Sequence, residues 1–383
     1  MKFLHTADWH LGRSFHGLSL LDDQAHVLTQ FVELARRERV DAVLIAGDVY
    51  DRAVPPADAV ALLDEVLSRL VVDAGIPVIV IAGNHDSAER IGFGGRILAP
   101  HKLTLRGRLD QLQPVLLRDA HGEVAFHPLP YVEPAMARAL PGAAQVSGHQ
   151  DAMDHMVALI RANQRAGQRN VLVGHAFVAG CSESESERPL SVGGSGMVGV
   201  DSFGGFDYVA LGHLHRPQAL GAAQRVRYAG SLLKYSFSEV DHAKSVALVE
   251  LGPTGEVAVT PVALTPRRDV RIVTGTLNEL LTRPDASASR DDYLCAQLTD
   301  NTPPLEPMAR LREVYPQMLE LRFTASTIGA GAGRTPGDHR TRQPDDLFRA
   351  FYRDMLDVDI DAAALDIFNT TANSVIRADG ASS

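Results

Sequence analysis

Five short apolar runs set the frame of this chain: Lys2 to Thr6 (KFLHT), Asp41 to Ala46 (DAVLIA), Val78 to Ala82 (VIVIA), Asn170 to Val173 (NVLV) and Tyr208 to Leu211 (YVAL). Each has the length and composition of a strand. Between them, apolar residues recur at helical spacing: Leu28, Phe31, Val32 and Ala35, then Leu63, Val66, Leu67 and Leu70, then Met153, Met156, Val157 and Ile160. These three segments predict helices covering a sheet, with Pro56 near the start of the second and Gly75 just past its end. Strand-length runs alternating with such helices predict an α/β domain.

From Arg225 to Pro261 the pattern tightens into closely spaced short strands, RVRYAGS, KSVALVEL and EVAVTPV, with GPTG at Gly252 to Gly255 as a hairpin turn. They predict a second sheet closing the same domain. TPRRDVRIV, Thr265 to Val273, opens a new unit with a proline and a basic cluster, and the Gly-, Thr-, Pro- and Arg-rich stretch from Thr324 to Pro344 predicts a linker. Two helical segments follow, one with Leu347, Phe348, Phe351, Tyr352 and Met355 on a face, the other with Leu365, Phe368, Ala372, Val375 and Ile376. The expected fold class is therefore α/β. It comprises a two-sheet sandwich flanked by helices over residues 1–264, a small α+β capping domain over 265–323, a linker over 324–343 and C-terminal helices over 344–383.

Length and composition narrow the class further. At 383 residues the chain exceeds one minimal domain, and 45% hydrophobic against 22% charged residues is an ordinary globular balance. No apolar run approaches the roughly 18 residues of a membrane helix. The start, MKFLHTADWHLG, has no basic region followed by an apolar stretch, so it reads as a first strand and a cytoplasmic location is expected. Cys181 and Cys295 are far apart, which excludes a disulfide framework and a zinc ribbon. A net charge of −10 argues against binding nucleic acid through overall basic charge. Local contact aided by bound cations or by a partner subunit stays open. SESESE, Ser182 to Glu187, reads as a solvated loop, and the glycine-rich SVGGSGMVGVDSFGG lacks the Gly-Lys-Ser/Thr ending of a phosphate loop, which argues against an ATP site there.

All five strand-like runs end in potential ligands: Asp8 and His10, Asp48, then Asn84, His85 and Asp86, then His175, then His213 and His215. In open α/β sheets ligand sites form beyond the carboxyl ends of strands, so these endings can meet in one crevice. Glycine precedes four of the groups, at Gly47, Gly83, Gly174 and Gly212, allowing sharp turns and close approach. Asp8, His10, Asp48, Asn84, His175, His213 and His215 form a mixed nitrogen and oxygen set without thiolate, too many for one tetrahedral ion. They suit two ions about 3.5–4 Å apart bridged by one carboxylate. The remaining histidines, His5 and His149 among them, lack such placement and are expected as ordinary core or surface residues.

The spaced set DWH, GDVYD, GNHD, GH and GHLH resembles the calcineurin-like metallophosphoesterase superfamily, over most of residues 1 to 216. HTADWHLG, AGDVYD, IAGNHDS, ERPLSVGG, FDYVALGHLHRPQ and YAGSLLKYSFSE are similar to the SbcD-type nuclease subunits of bacterial SbcC/SbcD repair complexes. The resemblance implies a two-sheet metallophosphoesterase sandwich. It also implies one metal on Asp8, His10, Asp48 and His215 and a second on Asp48, Asn84, His175 and His213, with Asp48 as the bridge. The ions would be divalent, Mn first and Mg as the alternative, and would activate a water for in-line attack on a phosphodiester. His85 would contact the scissile phosphate and protonate the leaving oxygen, and Asp86 would orient that imidazole. Some relatives carry histidine where this chain has Asp51, so Asp51 is a departure and a candidate substrate contact. Tyr228, Ser231, Tyr235 and Ser236 are candidates for the wall of a substrate groove or for core packing. Trp9 is expected to pack beneath the metal loop.

Function implied by this resemblance is a DNA nuclease subunit, a double-strand 3′–5′ exonuclease and single-strand or hairpin endonuclease. Its expected partners are DNA, an SbcC-type coiled-coil ATPase and a second copy of the nuclease within a heterotetramer, in the cytoplasm at the nucleoid and away from membrane. Residues 265–323 would then contact DNA and residues 344–383 would dock the ATPase. The alternatives are a stand-alone phosphatase or cyclic nucleotide phosphodiesterase of the same fold, and a non-catalytic scaffold that binds DNA ends. Intact ligands and His85 speak against the scaffold.

Overall fold

The computed structural model describes residues 1–187, 196–283 and 288–324, and beyond them 345–346, 348–349, 352–353, 360–361 and 364–371. The chain divides into two units, Met1–Phe323 and Thr324–Ser383. The principal strands of the first half are β1 (Lys2–Thr6), β2 (Ala42–Ala46), β3 (Val78–Ile81), β4 (Leu103–Arg106), β5 (Val115–Asp119) and β6 (Gly122–Pro128). Then come β7 (Arg169–His175), β8 (Tyr208–Gly212), β9 (Gln218–Leu220), β10 (Val226–Tyr228), β11 (Ser245–Leu251) and β12 (Val257–Ala263). A last group comprises β13 (Val270–Gly275), β14 (Tyr293–Leu298) and β15 (Met318–Phe323). The principal helices are α1 (Leu21–Glu38), α2 (Ala57–Ser68), α3 (His149–Arg161), α4 (Leu277–Thr282) and α5 (Pro307–Val314).

Two six-stranded sheets face each other, ordered β12-β11-β1-β2-β3-β4 and β9-β10-β8-β7-β6-β5. Strands β1 to β4 are parallel, as are β6, β7, β8 and β10, while β11 runs antiparallel to β1. The ligand-bearing runs are apolar at nearly every position because both of their faces are buried. Phe3, Leu44, Ile79, Val171, Val173, Tyr208 and Ala210 fill the space between the sheets. The intervening Leu4, Val43, Ile45, Val78 and Val80 pack instead against α1 and α2, and Leu172, Val209 and Leu211 against α3. All three helices bury the faces their spacing predicts: Leu28, Phe31, Val32 and Ala35 in α1, Met153, Met156, Val157 and Ile160 in α3, and Val66 in α2. Leu70 reaches the core from a π-type turn, Arg69–Asp73, that continues α2.

Two expectations are corrected here. KSVALVEL and EVAVTPV do not build a second sheet; as β11 and β12 they extend the first one, antiparallel beside β1, because the chain returns to the edge that β1 leaves open. RVRYAGS contributes β10 to the other sheet, whose remaining strands include the hairpin β5–β6, unmarked in the sequence pattern. The five ligand-bearing strands therefore belong to two sheets, β1 to β3 in one and β7 and β8 in the other. His5 pins the two together: its Nε2 donates to the Leu211 carbonyl at 3.1 Å and its Nδ1 accepts from Tyr208 Oη at 2.9 Å.

Strands β13, β14 and β15 form a third, wholly parallel sheet. Leu277, Leu280, Leu311 and Tyr315 of the α4 and α5 segments cover one of its faces, while Val270, Tyr293 and Cys295 join the core around α1. Tyr293 Oη donates to Asp23 of α1 at 3.0 Å, and Lys234 pairs with Asp269 at 2.9 Å. In Thr324–Ser383, residues 364–371 are helical, Leu365 is buried and Phe348 stacks on Phe368 with ring centroids 3.9 Å apart. Residues 325–343 of the expected linker, and Leu347, Phe351, Met355, Ala372, Val375 and Ile376, lie outside the described residues. Among the described residues no helix is long and apolar enough to cross a membrane.

Candidate metal centre

All seven residues expected as ligands come together where the carboxyl ends of β1, β2, β3, β7 and β8 meet. Ligand atoms of Asp8, His10 and His215 lie within 4.8 Å of one another, as do those of Asp48, His175 and His213. Asp48 faces both groups: its Oδ2 is 3.5 Å from His175 Nε2 and 3.8 Å from His10 Nε2. Asn84 Oδ1 lies 2.9 Å from both His175 Nε2 and His213 Nδ1. Across the other group, His10 Nε2 and His215 Nε2 are 3.0 Å apart.

This convergence is held by unusual backbone. Asp8, His10 and Asp48 adopt left-handed conformations with φ of 54°, 45° and 48°, and His213 has φ of 111°. For residues with a Cβ each such conformation costs on the order of 1–2 kcal/mol, and strain of this kind concentrates at functional sites. Three of the four glycines are required by close approach: on Gly47, whose φ is 88°, a Cβ would lie 2.4 Å from His175 Nδ1. A Cβ on Gly83 would lie 2.2 Å from Asp48 Oδ1, and one on Gly212 would lie 2.1 Å from the Ala46 carbonyl oxygen. Gly174 has more room, its nearest neighbour being Leu211 Cδ2 at 3.3 Å.

Burial keeps three of the four candidate imidazole ligands neutral. Burial pushes His213 down to about 3 and His215 to about 4, and His10 well below its ordinary value, so these imidazoles present lone pairs. Burial, with Asp48 nearby, drives Asp8 well above the usual carboxylate range. Burial would also raise Asp48, but His175, His10 and His85 hold it well below its ordinary value; reciprocally, Asp48 lifts His175 to about 9 against the effect of burial. His10 Nδ1 is buried without a hydrogen-bond partner among the described residues, 3.6 Å from Asp51 Oδ1 and beyond a good hydrogen bond. Buried acidic side chains, the neutral imidazoles of His10, His213 and His215 and an unpartnered ring nitrogen form a donor set that fits divalent ions, whose binding would release the protons held by Asp8 and His175.

Around the ligands, several roles differ from those the motifs suggested. Asp86 does not orient His85; its carboxylate accepts the backbone N–H groups of Val49, Tyr50 and Gly83 at 2.9–3.1 Å and so ties the β2 and β3 loops together. The His85 imidazole is oriented instead by the Asp51 carbonyl, which accepts from Nδ1 at 2.9 Å, while its backbone N–H donates to Asp48 Oδ1. Asp51 turns its carboxylate to Arg13 at 3.2 Å. Tyr228 and Ser231 are not brought to the mouth of the site. Tyr228 is buried, donating to the Ala176 carbonyl and accepting from Val178 N, and buried Ser231 donates to the Leu233 carbonyl. Tyr235 is also buried, its hydroxyl donating to the Trp9 carbonyl at 2.6 Å, and Ser236 caps a short turn through Ser238 N. Trp9 packs beneath the loop, edge-on to Phe31 and bonded to Thr6.

Four further residues had no signal in the sequence. Gln24 in α1 donates to the carbonyls of Trp9 and His10 at 3.0 and 2.8 Å, fixing the first metal loop. Glu187 accepts the backbone N–H of His215 at 2.6 Å, and Ser186 meets His215 Nδ1, also at 2.6 Å, so the end of SESESE is part of the site rather than a solvated loop. Glu239, fully buried, lies behind the same imidazole. A hydroxyl or carboxylate in a loop carries no periodicity that would mark it.

The chain matches the calcineurin-like phosphoesterase family over residues 1–217, and the type 5 capsule protein repressor C-terminal domain family over residues 266–355. The SbcD subunit of the SbcCD nuclease of Staphylococcus epidermidis is 34% identical over 322 residues, covering 84% of this chain and 85% of that one. The protein of the same name from Staphylococcus saprophyticus is also 34% identical over 322 residues, covering 84% of each. The chain belongs to the SbcD family of calcineurin-like phosphoesterases. Among solved structures, a dimetal phosphatase from Danio rerio aligns with a TM-score of 0.41 at 14% identity, covering 69% of this chain and 99% of that one. As an SbcD-family member the chain is a metal-dependent phosphodiester hydrolase, and its clustered histidines and aspartates are the candidate ligands for divalent metal ions.

Proposed function

We propose that this chain is the nuclease subunit of an SbcCD-type complex, cutting DNA from ends as a 3′–5′ exonuclease and at single-stranded or hairpin sites as an endonuclease. The observation that carries the two-metal reading is Asp48, whose single oxygen Oδ2 faces His10 of one cluster and His175 of the other. Asp8, His10, Asp48 and His215 would hold one ion, and Asp48, Asn84, His175 and His213 the other; Mn is the favoured identity, with Mg as the alternative. When bound, such ions would supply charge neutralisation for a phosphodiester and lower the pKa of an attacking water. His85 is set to serve the leaving group. Its Nδ1 donates to the Asp51 carbonyl, so in the imidazolium form, with both nitrogens protonated, the Nε2 proton is the one that would pass to the departing oxygen. Asp86 acts on this step only indirectly, by holding the loop that carries His85.

The partners follow the same reading. Residues 265–323, with Arg267 and Arg271 at their start, act as the DNA-contact cap, and 344–383 dock a coiled-coil SbcC-type ATPase. A second copy of the chain joins it in a heterotetramer with the ATPase. The complex works in the cytoplasm at the nucleoid. The deciding experiment assays labelled duplex DNA with the purified chain in Mn and in Mg, with and without the ATPase and ATP. Mn-dependent cleavage by the chain, with duplex-end processing enhanced by the ATPase and ATP, is expected; hydrolysis of phosphomonoesters or cyclic nucleotides alone would replace this reading with the stand-alone phosphatase. In the same preparation Asp48→Ala should lose both Mn sites by calorimetry, whereas His215→Ala should chiefly weaken one. Two intact sites in Asp48→Ala would remove Asp48 from the bridge.

A further inference from the structure

We infer that Glu239 is the positioning residue for His215, acting through Ser186 to keep the imidazole in one tautomer with Nε2 bare and turned to the cluster of Asp8 and His10. The inference rests on the metal-centre reading above. Its physical content is the direction of a hydrogen-bond relay. Lys244 can only donate, and it donates to Glu239 Oε2, to the His215 carbonyl at 2.7 Å and to Ser231 Oγ at 2.8 Å. An ionised carboxylate can only accept, so the Ser186 hydroxyl, bonded to Glu239 Oε1, must be the donor there. The lone pairs of that hydroxyl are then what His215 Nδ1 meets at 2.6 Å, and Nδ1 must carry the proton. Nε2 is left as a bare ligand atom, and it is the atom that lies 3.0 Å from His10 Nε2.

The arrangement holds His215 at three points: its imidazole through Ser186, its carbonyl through Lys244 and its N–H through Glu187. His175 is oriented differently, with Nδ1 donating to the Ala46 carbonyl at 2.8 Å, a backbone group that substitution cannot remove. His10 has no comparable hold, its Nδ1 being without a hydrogen-bond partner among the described residues. A buried lysine–glutamate pair adds little net stability over an apolar pair of the same size, so its use is more naturally sought in what it orients. Partners of this kind behind metal-binding histidines set ligand orientation and basicity, and their loss typically lowers metal affinity about 10- to 100-fold.

The test uses the full chain, metal-free, with MnCl₂ as the probe. Glu239→Gln is combined with Lys244→Met so that no buried ammonium is left unpaired, and Ser186→Ala is made separately because it lies on a loop whose loss of a hydroxyl spares the core. Thermal unfolding checks the fold, calorimetry reads the two Mn affinities, and a histidine-selective ¹⁵N spectrum of the metal-free protein reads the His215 tautomer. The double variant should lose about 10- to 100-fold at one Mn site and little at the other, with His215 passing from a single Nδ1–H form to a mixture. Ser186→Ala should move both readouts the same way by less, since Glu239 Oε1 is 3.4 Å from Nδ1 and can partly replace the hydroxyl. Glu239→Asp should fall between the wild type and the double variant. Wild-type Mn affinities together with a wild-type His215 spectrum, in the double variant or in Ser186→Ala, overturn the relay. A wild-type chain that binds no Mn overturns the metal centre itself, and the relay with it.

Discussion

Gly212, the last residue of β8, stands where the two sheets and both ligand clusters meet, and a single methyl group there should do measurable damage. A Cβ would lie 2.1 Å from the Ala46 carbonyl oxygen, 2.8 Å from Ala7 Cβ and 2.9 Å from His175 Nδ1. Ordinary contact begins near 3.4 Å, so the ends of β1 and β2 must retreat by more than an ångström. Asp8 follows Ala7, and Gly47 and Asp48 follow Ala46. The methyl would also intrude on the bond from His175 Nδ1 to the Ala46 carbonyl, 2.8 Å long. Overpacking of this kind costs about 1–3 kcal/mol, which lowers Tm by several degrees. The larger effect is on rate: a misplacement of about 1 Å in a catalytic constellation costs on the order of 10²-fold. Gly174→Ala is the matched control, because its Cβ would meet only the flexible end of Leu211 at 3.3 Å; it should change stability by less than about 1 kcal/mol and rate by a few-fold at most. Both variants can be compared by thermal unfolding and by Mn-dependent cleavage of a labelled single-stranded oligonucleotide. Gly212→Ala with the wild-type rate, or a loss in Gly174→Ala as large as in Gly212→Ala, would refute the close-approach argument.

Other expectations are shorter to state. His85→Gln should keep two bound Mn ions and DNA binding while slowing cleavage by about 10²- to 10⁴-fold, as for a general acid; loss of metal with the imidazole would make His85 a ligand instead. His5 is held neutral, burial lowering it to about 3 from an ordinary 6.5, so its contribution to stability is complete above pH 6.5 and is lost as pH falls from there toward 3. Wild-type protein should therefore lose up to about 1.4 kcal/mol more per pH unit across that window than His5→Gln, measured by urea unfolding of the metal-free chains; equal slopes would contradict it. Truncation after Thr341 should leave metal-dependent cleavage of short substrates intact and weaken co-purification with the ATPase, and full-stoichiometry assembly at unchanged affinity would assign the terminal helices to local packing.

The ligands were legible because each ends an apolar run, and such runs stand out wherever both faces of a strand are buried. Which sheet a strand joins is another matter. Ser245–Leu251 and Val257–Ala263 read as near neighbours of the strand before them, yet the chain carries them back to β1, and only the long-range pairing of Leu4 with Leu248 decides it. The hairpin β5–β6 is hidden in the sequence because one of its strands lies at an edge and mixes apolar with charged side chains, as in Leu117, Arg118 and Asp119. Charge runs read as solvated, which hid Ser186 and Glu187. Asp86 misleads for a related reason: adjacency to His85 in sequence suggests a side-chain contact, while its oxygens in fact collect backbone N–H groups from two loops.

The same return of the chain to β1 has a consequence during synthesis. Phe3 to Thr6 pair on one side with β2, but Lys2 to His5 pair on the other with Glu250 to Ala247, residues that leave the ribosome long afterwards. Until they arrive, β1 is an exposed edge, the kind of surface that invites mispairing and chaperone capture. Glu239, behind His215, also follows every ligand in the chain. A nascent or prematurely terminated product that ends soon after His215, the last of the ligand histidines, thus lacks both the closing strand and the support for that histidine. The order in which this polypeptide is made keeps a phosphodiester-cutting enzyme incomplete until its catalytic domain has been made nearly in full.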